Sequence, residues 1–158
     1  MRHWQITKYN PAFRDSSGAY RKEEWTSFCD IGRVFAGVEL TMAEYLKTEE
    51  RYVSSAMHFA RSAAVSELLP RDLERIGGCT AVAENVPIDI GVLPDVIRHI
   101  LRESFWCKLE RRPDFYIHFG YDYYMYIGSQ RELSESVAFA RNQGLFVEEL
   151  VSPFLDWC

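Results

Sequence analysis

The chain has 158 residues, of which 47% are hydrophobic and 26% charged, and a formal net charge of −5. Domains usually run to roughly 100–200 residues, so this length fits one domain around one core. The composition is that of a folded globular protein and excludes a disordered or collagen-like chain.

The first expected element is a short strand over Trp4–Tyr9. A loop follows, because Asn10, Pro11, Asp15, Ser16, Ser17 and Gly18 cluster turn-forming residues. Trp25 and Phe28 are too large and apolar to stand in solvent, so the segment that carries them is expected to fold back on the core. A short strand over Arg33–Leu40 comes next. Thr41–Leu69 carries the longest helical pattern: it opens on Thr41-Met42-Ala43-Glu44, a T-x-x-E capping box, and stops before Pro70. Val53, Ala56, Met57, Ala60, Ala64 and Leu68 form its apolar stripe, with Arg51, Ser54, His58, Arg61 and Ser62 opposite. A second start signal, Thr48-Glu49-Glu50, predicts a break near Thr48.

A second helix is expected over about Val92–Glu103, with Leu93, Val96, Ile97, Ile100 and Leu101 inward and Pro94 in its first turn. A third, Glu132–Gln143, is capped by Ser129-Gln130-Arg131-Glu132 and stopped by Gly144. Between these two helices, Ser104–Glu110, Phe115–Tyr121 and Tyr123–Gly128 are rich in aromatic and β-branched residues. They are separated by Arg111-Arg112-Pro113-Asp114 and a tight turn near Asp122, which predicts an antiparallel meander. Leu145–Val151 offers one more strand. Three amphipathic helices beside consecutive strands, without βαβ alternation, argue for an α+β fold in which the helices pack on a mainly antiparallel sheet, as a single domain over residues 1–158.

Charge and cysteine usage bound the function. Residues 1–79 hold 11 Lys/Arg against 11 Asp/Glu, and residues 80–158 hold 7 against 12, so the second half carries the whole excess. That balance is expected to attract a basic protein rather than nucleic acid or an anionic membrane. The N-terminus has no apolar run of the kind a secretory signal needs, and about 18 consecutive apolar residues occur nowhere; the expected location is the cytoplasm. The spacing of Cys29, Cys79, Cys107 and Cys158 contains no C-x-x-C pair. Free thiols, mostly buried, are therefore expected, with no zinc and no cofactor.

The motifs that cradle phosphate, bind dinucleotides, hold zinc or build an esterase elbow are all missing, which weighs against an enzyme without excluding a spatial triad. The most distinctive stretch is Phe115–Ile127, with five of the nine tyrosines. Strand alternation places Phe115, Ile117 and Phe119 on one face and Tyr116 and His118 on the other. Tyr124 and Tyr126 share a face of the next strand. Such a Tyr/His surface suits binding, because tyrosine supplies rigid area with a polar tip. The plainer alternative is that helices cover this face too, with the hydroxyls reaching partners at the rim and aromatic cross-strand pairs stabilising the sheet. Asp95, His99 and Glu103 share a helix face and read first as solvated surface, second as a metal or acid/base group. Glu135, Glu148, Glu149 and Asp156 lie among Phe146, Phe154 and Trp157, an acidic and aromatic cluster that reads first as a solubilising surface and second as one fit for a basic partner. The candidate binding residues are therefore Tyr116, His118, Tyr124, Tyr126, Glu148 and Glu149; no catalytic or metal set is named.

Segments at both ends carry a resemblance. Ile6-Thr7-Lys8-Tyr9-Asn10-Pro11, Arg14-Asp15, Gly18-Ala19-Tyr20, Glu24-Trp25-Thr26-Ser27 and Asp30-Ile31-Gly32, with Phe105-Trp106-Cys107-Lys108-Leu109, Tyr121–Tyr126 and Ser152-Pro153-Phe154, resemble a family of small bacterial proteins. That family is similar in size, acidity and aromatic content to immunity proteins that neutralise secreted bacterial toxins. The resemblance implies a protein-binding module, an immunity-type inhibitor with a basic protein partner. Two other classes stay open: a small enzyme or ligand-binding domain with a pocket at Tyr116, His118, Tyr124 and Tyr126, and a self-associating structural protein whose Tyr face is a homodimer interface.

Overall fold

The computed structural model describes residues 1–157. Strands are β1 (Arg2–Thr7), β2 (Val34–Phe35), β3 (Val38–Glu39), β4 (Glu67–Arg75), β5 (Ile88–Asp89), β6 (Phe105–Arg111), β7 (Phe115–Phe119), β8 (Met125–Ser129) and β9 (Phe146–Glu148). Helices are α1 (Met42–Ser62), α2 (Leu93–Leu101) and α3 (Ser134–Asn142). Seven strands form one antiparallel sheet in the order β5-β4-β6-β7-β8-β1-β9, while β2 and β3 pair as a separate hairpin. The fold is α+β with a mainly antiparallel sheet, as three helices beside runs of consecutive strands imply.

Strand register explains why the two faces differ. Trp4 pairs with Ile127, Ile127 with Ile117 and Ile117 with Leu109, so one row of the sheet is wholly apolar. This face packs under the helices, where the Trp4 ring meets Phe59 of α1 at 5.3 Å. One residue along, His3 pairs with Gly128, Gly128 with Tyr116 and Tyr116 with Glu110, which makes the opposite face polar and aromatic. Gly128 is required in that row. A Cβ there would stand 2.1 Å from a ring carbon of Tyr116, closer than any packed contact.

Trp25 and Phe28 do return to the core, packing against Tyr45 at 5.6 and 5.0 Å. Several expectations need correction. The helix that opens at Thr41 runs without a break through Thr48, whose hydroxyl donates back to the Glu44 carbonyl and so continues the helix. It ends at Ser62 rather than Leu69, with Ala64 in the left-handed region, and the next residues become strand β4. There Leu68 pairs with Ile88 and Pro70 with Leu109, so sheet pairing outweighs the helical spacing. The strand expected over 33–40 is instead the β2–β3 hairpin, turned at Ala36-Gly37, both at positive φ. Helix α3 starts at Ser134, and its cap, Leu133, makes no side-chain bond. Ser129 belongs to β8, and its hydroxyl accepts from the Arg131 amide. Of the described cysteines all three are free, but Cys29 is exposed and Cys79 half-buried, so only Cys107 meets the expectation of burial; Cys158 lies outside the described residues. No helix among the described residues is long and apolar enough to cross a membrane.

A buried polar network ties α1 to the rest. Glu49, 2% exposed, accepts both Arg102 guanidinium bonds at 2.7 and 2.8 Å and the Tyr45 hydroxyl at 2.6 Å. Tyr45 in turn meets the Tyr123 hydroxyl at 2.6 Å.

Two stability outcomes follow from these contacts. Gly128→Ala is expected to lower the unfolding free energy by roughly 1–3 kcal/mol through overpacking against Tyr116, read as a drop in denaturant midpoint at constant m-value. Arg102→Met leaves a buried carboxylate without its partner and is expected to cost about 3 kcal/mol. Adding Glu49→Gln to that variant removes a charge then left with Arg98 at 3.9 Å as its counter-charge and should recover part of the loss in the same assay.

Candidate functional site

The Tyr/His face exists as its alternation implies, but it is not an open surface. Tyr116 and His118 have no exposure, and Tyr126 has 8%. The cover is not a helix; it is the chain's own C-terminal segment, residues 150–157, which runs back across the sheet. Ser152 Oγ lies 2.9 Å from His118 Nδ1, and the Trp157 indole donates to Glu110 at 3.0 Å. The Phe154 ring stands edge-on to Trp106 at 5.5 Å and to Tyr126 at 6.2 Å. Asp156 receives Lys108 at 3.0 Å and Arg112 at 2.9 Å.

Beneath this strap lies a hydrogen-bonded line. His118 Nε2 is 2.9 Å from Glu110 Oε1, and since an ionised carboxylate only accepts, Nε2 carries the proton and Nδ1 accepts from the Ser152 hydroxyl. Burial by itself would raise the Glu110 carboxyl, but bonds from His118, Arg112 and Trp157 outweigh it and hold the group down at about 2. The His118 imidazole is pushed below its ordinary value chiefly by burial, so it is neutral near pH 7. Tyr116 stacks on His118 at 4.3 Å, and its hydroxyl meets His3 Nδ1 at 2.9 Å.

The other candidate residues fall elsewhere. Tyr124, Glu148 and Glu149 line a shallow depression with Gln5 and Arg14 at the β1–β9 edge. Glu148 spends its charge inside the molecule, since Arg14 holds it through two bonds of 2.9 and 2.7 Å. Glu149 is exposed, and Tyr124 is half-buried with its ring 5.4 Å from Tyr9. Asp95, His99 and Glu103 do not form a group. Arg98 takes Asp95, His99 packs on Phe105 and bonds toward Ser104, and Glu103 lies beyond the end of α2 with a positive φ. Among the described residues no three His, Cys, Asp or Glu side chains are placed to hold a metal.

Sequence reasoning missed a cleft of about 220 Å³ at one end of the sheet, where the C-terminal end of α2, the end of β4, the start of β6 and the β7–β8 turn meet. Its walls are apolar, with Ile100, Phe105 and Phe119, and Trp106 lines one side. Glu74, Glu103 and Asp122 stand at its edge, and no Lys, Arg or His is among its lining residues. Tyr121 and Ile76 flank it at 73% and 62% exposure. The turn that presents Tyr121 is fixed from behind. Asp122 and Tyr123 both have positive φ, the Tyr9 hydroxyl donates to the Asp122 carbonyl at 2.6 Å, and the Tyr52 hydroxyl donates to the Tyr123 carbonyl at 2.8 Å. The one advance signal was the tight turn near Asp122. The acids come from three separate elements and share no spacing.

Comparison with protein-family models, with curated proteins and with solved structures finds no match for the chain.

Proposed function

We propose that the protein is a protein-binding module that docks a basic partner at the cleft beside Tyr121. One observation carries this reading: an apolar pocket, edged by Glu74, Glu103 and Asp122 without a compensating cation, opens between two of the most exposed large apolar side chains, Tyr121 and Ile76. Its volume of about 220 Å³ is below the roughly 300–1,000 Å³ of sites that enclose a drug-sized ligand, so it suits one inserted side chain of a larger partner. A lysine or arginine fits both parts, with its methylene stem on the apolar wall and its charge among the carboxylates. Arginine and tyrosine are also the residues that most often dominate interface energies. In the sharper form of the reading, the partner is a secreted bacterial toxin, and the protein is its immunity-type inhibitor in the cytoplasm.

The Ser152, His118 and Glu110 line offers hydroxyl, imidazole and carboxylate in hydrogen-bond contact, which favours the alternative of a small enzyme. Its members are 4%, 0% and 1% exposed, and the hydroxyl belongs to the covering strap, so opening the site would take the line apart. We therefore assign it to holding the strap.

A photo-cross-linking residue at position 121 tests the main reading in extract of the source cells. The expected product is a single basic protein whose capture weakens about tenfold with Glu74→Gln, Glu103→Gln and Asp122→Asn combined, and falls with added salt. Equal capture from a cross-linker at the exposed Phe13, or capture indifferent to the three charges, would reject it. For the sharper form, the captured protein must lose its toxicity when the purified chain is added.

A further inference from the structure

The strap that covers the polar sheet face also braces the cleft. Phe154 stands against Trp106, a wall residue, and approaches Gly120 of the β7–β8 turn, which also lines the cleft. The Trp106 indole in turn donates to the Phe119 carbonyl at 2.6 Å. The strap itself has no regular secondary structure, and it joins β9 through Glu149, Leu150 and Val151, all exposed. Its grip is made of side chains apart from the Ser152 amide, which donates to the Tyr116 hydroxyl at 3.4 Å, and the most deeply buried side-chain pair in it is Ser152 with His118.

We propose that the strap is an acid-sensitive latch, closed by neutral His118 and released when His118 takes up a proton, and that release loosens the Trp106 wall of the cleft. The second half rests on the reading of that cleft as the docking site.

The chemistry at the latch sets the direction. Neutral His118 satisfies both neighbours, donating from Nε2 to Glu110 and accepting at Nδ1 from Ser152. A proton on Nδ1 turns that acceptor into a donor, so the Ser152 hydroxyl, which already accepts from the Phe154 amide at 3.2 Å, must redirect its own hydrogen within a buried site. The surrounding charges are already matched. Arg112 lies 2.6 Å from Glu110, Lys108 lies between Asp72 and Asp156 at 2.7 and 3.0 Å, and Arg112 also reaches Asp156. Among the described residues the remaining titratable groups against the strap's seat are Tyr116, Tyr126 and His3; burial raises the two phenols and lowers the His3 imidazole, as it does His118. At the strap's origin Glu148 is held by Arg14.

Burial lowers the His118 imidazole in the closed state and that cost is relieved on opening, so His118 binds the proton better in the open state. Closure is therefore favoured above the ordinary imidazole range and is lost as pH falls through it toward the lowered closed-state value, with the opening constant rising up to about tenfold per pH unit. Glu110 stays ionised throughout, since its carboxyl is held at about 2.

Nitrogen-15 NMR of the Trp106 and Trp157 indole N–H groups, two of the four in the full chain, tests this without any partner, so failure here is distinct from failure of the cross-linking. Between pH 7.5 and 5.0, after correction for intrinsic exchange, the Trp157 indole should lose protection in step with titration of the His118 ring, and the Trp106 indole should follow it. His3→Gln should leave that transition in place, whereas His118→Gln should abolish its pH dependence. The proposal is overturned if Trp157 stays protected until the whole chain unfolds by circular dichroism, if the transition vanishes in His3→Gln, or if Trp106 keeps its protection while Trp157 opens. If His118→Gln does not fold, the wild-type and His3→Gln titrations still decide the matter.

Discussion

A carboxylate with 1% exposure in the middle of a sheet has to be neutralised and hydrogen-bonded where it stands, and Glu110 organises one side of this protein for that reason. Its strand neighbour Tyr116 cannot help, because the phenol points along the row toward His3. The partners come instead from three other places: His118 two residues further along β7, Arg112 just past the end of β6, and Trp157 from the far end of the chain. The C-terminal segment crosses the sheet because its indole completes this set. Once there, it brings Asp156 within reach of Lys108, which is only 8% exposed and needs a counter-charge of its own.

The helical side obeys a different rule. Besides the bond of 2.9 Å between Ser136 of α3 and His58 of α1, its polar contacts gather along one seam, where Tyr45, Tyr52 and Tyr123 carry hydroxyls into the core and each finds a partner. That seam accounts for the N-terminal loop as well. The Lys8 ammonium lies over the Tyr9 and Trp25 rings at 4.4 and 4.1 Å, with Glu24 3.4 Å away, and burial brings it down to about 8 against the opposing pull of Glu24. A cation held between aromatic faces fastens residues 24–25 to β1. Because Tyr9 and Tyr52 also hold the β7–β8 turn from behind, the same seam positions Tyr121 at the cleft.

Where the sequence was legible, one physical rule acted alone. Along Phe115–Phe119 the period of two puts Phe, Ile and Phe on one side and Tyr and His on the other, and no competing pattern fits, so both faces were readable in advance. In Val65–Leu69 two rules conflict: Leu68 continues the helical stripe of α1 and also suits a strand, and only its pairing with Ile88 decides. Thr48 misled for a related reason, since a threonine that caps one helix donates to its own helix in another. At the site, the Tyr/His face was visible but its cover was not, because Ser152, Phe154 and Trp157 show no periodicity and gain meaning only through partners far away in the chain, such as His118, Trp106 and Glu110. The cleft was invisible for the same reason.

Net charge says little until paired and unpaired groups are told apart. The excess of acid in the second half suggested a surface around Glu148, Glu149 and Asp156, yet Arg14 holds Glu148, and Lys108 and Arg112 hold Asp156. A carboxylate with a cation at hydrogen-bond distance has a nearly cancelled field a few ångströms away, and it attracts a distant basic surface weakly. Glu74, Glu103 and Asp122 have no ion pair among the described residues, and they border low-dielectric apolar walls that concentrate rather than screen their field. The uncompensated acidity on which the proposed docking rests is therefore found at the end of the sheet and not on the Tyr/His face. That is also the place where Phe154 connects the strap, and the proton state of His118 beneath it, to the wall of the cleft.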